Sequence, residues 1–332
     1  MARGNISIFV PHAGCPHRCS FCDQHSISGT AFRPDGEYVK KVCAEALQTV
    51  SFPEESEIAF FGGSFTAIPR DYMTELLSAA AEFVGVGKFK GIRISTRPDH
   101  IDSEILELLK SFGVTSIELG AQSLDDSVLE LNERGHTAAD VAAASRLIKE
   151  QGFELGLQMM VGLYGSTRTS EFATVEKICS IRPDTVRIYP VVILKNTRLG
   201  ELYQSGEYRT FGFDEVVEMT ALFMQHFEEQ GIRVIKVGLH ASELVERDML
   251  GGFYHPAFRE LCDSVIYRRL IEAELEKYGN VTYAEFLVPE RELSKALGQK
   301  KSNISYFEQK NIRLKIIPDK ELREKLKPVK AE

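Results

Sequence analysis

At 332 residues, 43% apolar and 27% charged with no tryptophan, the chain has the make-up of a globular protein long enough for one large α/β barrel carrying a small appendage. No apolar run approaches the roughly 18 residues of a membrane span, and the apolar stretch at 6–10 is too short for a signal peptide, so the expectation is a cytoplasmic protein with no membrane partner. The net charge of −8 hides an asymmetry, because from Arg291 onward twelve Lys or Arg stand against six Asp or Glu, and a basic tail on an acidic body reads either as a contact for a polyanion or as a solvated face.

Along the first 240 residues, short apolar runs alternate with segments of helical period. The spacing predicts strands over 6–10, 58–61, 92–95, 116–119, 154–160, 185–188 and 233–237. Helices are predicted over 37–50, 70–84, 103–112, 125–131, 137–151, 171–179 and 213–230, with Asp102 capping the third. This alternation demands a parallel sheet with crossovers of one hand. Six or seven units are too few to close an eight-stranded barrel. The fold class expected is therefore α/β: a partial (β/α)6-type parallel barrel over residues 1–240, with its site at the carboxyl ends of the strands. Residues 241–332 are expected to form a small basic α+β domain, with a helix over 255–277, a strand over 281–288, two helices flanking Gly298-Gln299-Lys300-Lys301, and a strand over 312–317.

Three of the six cysteines fall within eight residues, as Cys15-Pro-His-Arg-Cys19-Ser-Phe-Cys22, in the loop after the first strand. Thiols this close in a reducing compartment are metal ligands rather than disulfide partners, and soft thiolates select zinc, copper(I) or iron–sulfur clusters. A structural zinc closes its fourth position, whereas a three-cysteine 4Fe–4S cluster leaves one iron open to a ligand that is not protein. The competing reading is a zinc site in which His12, His17 or His25 is the fourth ligand. Cys43, Cys179 and Cys262 are isolated on predicted helices and read as small buried hydrophobes.

The C-x3-C-x2-C spacing, with Phe21 immediately before the last cysteine, resembles the signature of the radical S-adenosylmethionine enzymes. That resemblance implies a 4Fe–4S cluster on Cys15, Cys19 and Cys22, S-adenosylmethionine chelating the open iron, and a reducing electron donor of the flavodoxin or ferredoxin type. It also implies cofactor contacts at the other strand ends. Gly62, Gly63 and Ser64, in Phe60-Phe61-Gly62-Gly63-Ser64-Phe65-Thr66, match the family's glycine motif for the methionine amino group. Ser95 stands where related enzymes often carry a glutamate, Gln122 is the candidate for the ribose, and Arg134 for the cofactor carboxylate. Gln158 leads into a second glycine loop at 159–165.

The order of these segments looks like the radical domain of the Elongator catalytic subunit over residues 4–240. That family modifies the wobble uridine of transfer RNA, which makes transfer RNA the implied partner. Only about 90 residues follow the barrel, too few for that family's acetyltransferase domain, so acetyl-coenzyme A chemistry is not expected of this chain. A weaker likeness extends to the oxygen-independent coproporphyrinogen oxidases. Gly298–Lys301 resembles a degenerate KH loop, which clamps a nucleic-acid backbone. Lys295, Lys300, Lys301, Lys310, Arg313 and Lys315 would supply its charge, and a plain cap over the barrel is the alternative. The reading is a radical enzyme that abstracts hydrogen from a substrate such as a transfer RNA base. Its competitors are the same chemistry on a small molecule such as a tetrapyrrole, and a non-catalytic, zinc-containing RNA-binding protein.

Overall fold

The computed structural model describes residues 4–10, 15, 18–23, 32–239 and 243–332. Through the first part of the chain the elements alternate: β1 (Asn5–Val10), α1 (Gly36–Thr49), β2 (Glu57–Gly62), α2 (Arg70–Ala81), β3 (Gly91–Thr96), α3 (Ser103–Ser111), β4 (Val114–Gln122), α4 (Asp126–Leu131), α5 (Ala138–Glu150), β5 (Glu154–Val161), α6 (Arg168–Ile181) and β6 (Thr185–Pro190). There follow β7 (Val192–Leu194), α7 (Arg198–Ser205), α8 (Phe213–Glu229), β8 (Arg233–Val237), α9 (Glu243–Asp248) and β9 (Met249–Gly252). The last part holds α10 (Phe258–Leu275), β10 (Tyr283–Pro289), α11 (Leu293–Leu297), α12 (Ser302–Gln309), β11 (Arg313–Asp319) and β12 (Lys327–Ala331).

Seven strands form one sheet in the order β1-β2-β3-β4-β5-β6-β8, every neighbouring pair parallel. Spatial order follows chain order, so crossovers of one hand place the helices on one side and curl the sheet into a part-barrel. All seven strands expected from the spacing, including the last over 233–237, take part in this one open sheet. Asp102 caps α3 as expected, its carboxylate accepting the Ile105 N–H at 2.8 Å.

Alternation along the strands sorts the two faces. In β1, Ile6, Ile8 and Val10 are buried in the core beneath the helices, while Ser7 and Phe9 point to the concave side. Part of that concave side is ionic. Arg93 on β3 contacts Glu57 at 2.7 Å, Glu118 at 3.1 Å and Glu154 at 2.9 Å, and Arg187 on β6 reaches Glu118 at 2.8 Å. Burial alone would raise the Glu57 carboxyl, but Arg93 and the hydroxyls of Ser116 and Thr115 outweigh it and hold the group below the usual range.

Two sheet pieces that the sequence reading lacks are the β7–β9 pair and β12, which joins β10 and β11 in a three-stranded sheet. β7 has only three residues, and β12 carries lysines and a proline, so neither has a strand-like pattern. The two helices expected on either side of Gly298–Lys301 are present as α11 and α12, the first of them only five residues long. Helix α10 joins two apolar cores: Phe258, Cys262, Val265 and Ile266 belong to the barrel's cluster, and Ile271 and Leu275 to that of the C-terminal sheet.

Candidate functional site

The cysteine segment is held from two sides through Ser20, which lies between Cys19 and Cys22. Its N–H donates to the Asn132 carbonyl at 3.1 Å and its hydroxyl to Asn132 Oδ1 at 2.9 Å. Its own carbonyl accepts the Leu199 N–H at 2.7 Å, at the start of α7. Arg18 donates to the Asn196 carbonyl at 3.0 Å. Within the segment, the Cys22 N–H closes a turn on the Cys19 carbonyl at 3.1 Å. Cys15 is exposed, Cys19 buried and Cys22 half-buried, and Phe21 packs against the barrel core.

Next to it stands the end of β2. Gly62 has φ +120°, and a Cβ there would lie 2.7 Å from the Val10 carbonyl oxygen, so only glycine lets β2 run this close to the strand leading into the cysteines. The Gly63 N–H donates to that same carbonyl at 3.1 Å. Ser64 is buried and shares a hydrogen bond with Thr96 at 2.9 Å, and its hydroxyl accepts the Arg97 N–H at 3.2 Å. The glycine motif is thus tied to the end of β3.

Arg134 comes in from the α4–α5 connection. One guanidinium nitrogen lies 3.0 Å from Cys19 Sγ and another 2.7 Å from the Gly120 carbonyl, while its own carbonyl accepts from Arg97 at 2.5 Å. Gln122 ends β4 with φ 65°, and its side-chain oxygen accepts from Gln158 Nε2 at 3.2 Å. Gly120 makes room for both, since a Cβ there would lie 2.9 Å from Gln122 Nε2 and 3.4 Å from Arg134. Ser95, lower on β3, sits 3.5 Å from the Glu118 carboxylate, so an acidic group adjoins the position where the family's glutamate is expected.

Electrostatics test whether these residues suit an iron–sulfur group. Burial, followed by the neighbouring Cys19 and Cys15, pushes the Cys22 thiol up to about 12, with Arg134 opposing. Cys15 is raised too, burial outweighing its hydrogen bond with the Ser64 backbone and the pull of Arg97 and Arg134. Three soft donors that disfavour one another's ionisation favour a cationic centre between them. Among the described residues, no three His, Cys, Asp or Glu side chains are arranged to hold a metal ion as a unit. His12, His17 and His25 lie outside the described residues. Arg134 Nε is buried without a partner among the described residues, which leaves one cationic donor in the site for an anionic ligand. In donor chemistry the residues fit the cluster and a carboxylate-bearing cofactor.

The six basic residues of the C-terminal part do not form one patch of free charge. Lys295 is paired with Asp263 and Glu292, Lys310 with Glu272, and Lys315 with Glu285. Arg313, Lys300 and Lys301 are exposed. The two lysines stand in left-handed backbone, φ 53° and 62°, in the turn before α12. Sequence reasoning missed Ser20, Gly120 and Asn132 as supports of the site; Ser20's position between two cysteines was the available signal.

The Radical SAM superfamily matches residues 9–177, and the Radical_SAM C-terminal domain matches residues 183–268. A tRNA uridine(34) acetyltransferase of Methanocaldococcus jannaschii is 25% identical over 98% of this chain and 69% of its own length. One from Methanocaldococcus infernus is 24% identical over 64% of this chain and 48% of its own length, so the chain spans about half to two thirds of these relatives. Human Elongator complex protein 3 is 32% identical over 51% of this chain and 34% of its own length. Among solved structures, an N-terminally truncated archaeal Elp3 from Methanocaldococcus infernus shares the fold with a TM-score of 0.57 and 20% identity, covering 84% of this chain and 64% of that one. With a match over more than half its length, the cysteine turn after β1 and the part-barrel above which it sits, the chain belongs to the radical S-adenosylmethionine superfamily.

Proposed function

We propose that the chain carries a 4Fe–4S cluster on Cys15, Cys19 and Cys22, holds S-adenosylmethionine against it, and abstracts hydrogen from a nucleoside of transfer RNA. The observation that carries this reading is the convergence of the cysteine turn, the Gly62–Ser64 segment, Arg134 and the Gln122–Gln158 pair on one end of the barrel. When bound and reduced by an electron donor of the flavodoxin or ferredoxin class, the cluster and cofactor supply a 5′-deoxyadenosyl radical. The chain's own work is positioning. Arg134 would meet the cofactor carboxylate through its unpartnered Nε, backbone near Gly62 and Gly63 would receive the amino group, and Gln122, braced by Gln158, would take the ribose. Ser95 and Glu118 would line the space below.

Support for transfer RNA comes from the relatives, whose names specify a tRNA uridine, and from the turn at Gly298–Lys301. That turn is tied to α10: Asn303 Nδ2 donates to the Ser264 carbonyl at 2.9 Å and to the Ala296 carbonyl at 3.0 Å. Phe258, at the head of the same helix, packs against Gly238, just past the carboxyl end of β8. Lys300 and Lys301 are exposed on this turn, free to meet a polyanion.

The test uses protein reconstituted without oxygen, reduced with dithionite and given S-adenosylmethionine, with 5′-deoxyadenosine measured by chromatography. Formation is expected to require Cys19, to vanish in C19A, and to rise when transfer RNA is added. One equivalent of zinc without iron or sulfide would overturn the cluster. Cleavage indifferent to RNA, with no RNA affinity, would overturn the substrate and leave a small molecule.

A further inference from the structure

The contacts around Ser20 and Arg134 have a role that cofactor binding does not account for. Ser20 is 1% exposed and has each of its polar groups engaged, two with Asn132 and one with Leu199. Asn132 is fully buried and spends its amide nitrogen on the Val128 carbonyl at 2.8 Å and the Tyr164 carbonyl at 2.9 Å. A buried amide with partners on both ends cannot turn, so its oxygen fixes where Ser20 sits. Two residues on, Arg134 points a permanently charged donor at Cys19 Sγ, 3.0 Å away. Arg134 is itself held by the Gly120 carbonyl and, through its backbone, by Arg97. Arg97 is clamped in turn by Asp99 at 2.9 Å.

We infer that the turn from Asn132 to Arg134 is the outer brace of the cluster: Asn132 sets the place of the Cys19–Cys22 segment, and Arg134, through Cys19, raises the cluster's reduction potential. The inference rests on the cluster reading above. A hydrogen bond from a cation to a ligating sulfur draws charge off the ligand and favours the state carrying one more electron. Reduction adds that electron from an external donor and breaks no bond. Arg134 and Asn132 are here positioning residues, acting through Cys19 and Ser20.

The experiment is a potentiometric titration of the reconstituted 332-residue chain without S-adenosylmethionine, so that any contact of Arg134 with the cofactor carboxylate plays no part. Iron content and circular dichroism are measured alongside. The expected result for R134Q is a full complement of iron and a more negative potential than the wild type, with R134K between them because lysine keeps the charge but not the fork. S20A, a small change that leaves the fold intact, is expected to keep the wild-type potential and to lose iron to a chelator roughly tenfold faster. R134Q with full iron and an unmoved potential overturns the tuning, and S20A losing iron no faster overturns the brace. A wild-type chain that takes up no cluster overturns the functional reading itself, a separate failure visible before any variant is compared.

Discussion

His136 lies beneath the Arg97–Arg134 pair, its Nε2 3.3 Å from the Ala121 carbonyl, and burial followed by the two guanidinium groups pushes its pKa down to about 4. Glu171 on α6 is the opposite case: it accepts the Gly162 N–H at 2.7 Å, yet burial pushes its carboxyl up to about 7. The signs follow from linkage. Below its unfolded pKa of about 6.5, unfolded His136 binds a proton that the folded state refuses, so stability is lost as pH falls from there toward 4. Folded Glu171 keeps a proton that the unfolded chain has already released, so its contribution is lost as pH rises from about 4.5 through 7. H136Q is expected to lessen the drop in melting temperature between pH 6.5 and 4.5, and E171Q to raise the melting temperature more at pH 8 than at pH 5. Each effect is worth up to about 3 kcal/mol, and thermal melts across pH would measure both. E171Q melting equally above the wild type at both pH values would show that Glu171 is not the titrating group.

At the level of elements, most strands and helices of the barrel were legible from their apolar period, whereas α7 was not among the expected helices. β4 shows where that reading stops. Its alternating Ser-Ile-Glu-Leu stretch covers 116–119, but the strand reaches Gln122 because Gly120 and Gln122 continue its pairing with β5 through a bulge. The cysteines announced themselves by spacing, whereas Asn132 and Leu199 reach Ser20 only through folding and have no local signature. The turn at Gly298–Lys301 was legible as a loop, but its backbone was not. Lysine in left-handed conformation costs about 1 kcal/mol or more per residue, and glycine would adopt it freely. K300G/K301G is therefore expected to raise the melting temperature while weakening transfer RNA binding several-fold and flattening its dependence on salt. Affinity unchanged in a gel-shift titration would remove this turn from the RNA contact.

In the whole molecule, the ionic cluster inside the sheet ties four strands together through one residue. Removing Arg93 leaves Glu57, Glu118 and Glu154 without their shared cation, and a broken buried pair costs about 3–5 kcal/mol. R93M is expected to lower the unfolding free energy by that amount in a urea titration, and a loss under about 1 kcal/mol would mean that water already reaches these carboxylates. The brace on the cysteines has a consequence in time. Ser20 and Asn132 are 112 residues apart in the chain, and Leu199 comes later still. At a synthesis rate of about 5–20 residues per second, the thiols leave the ribosome roughly ten seconds before Asn132 and longer before Leu199. With the cluster proposed above, metal loading would be a late event in the life of the nascent chain, the newborn cysteines relying on the reducing power of their surroundings until the barrel has formed around them.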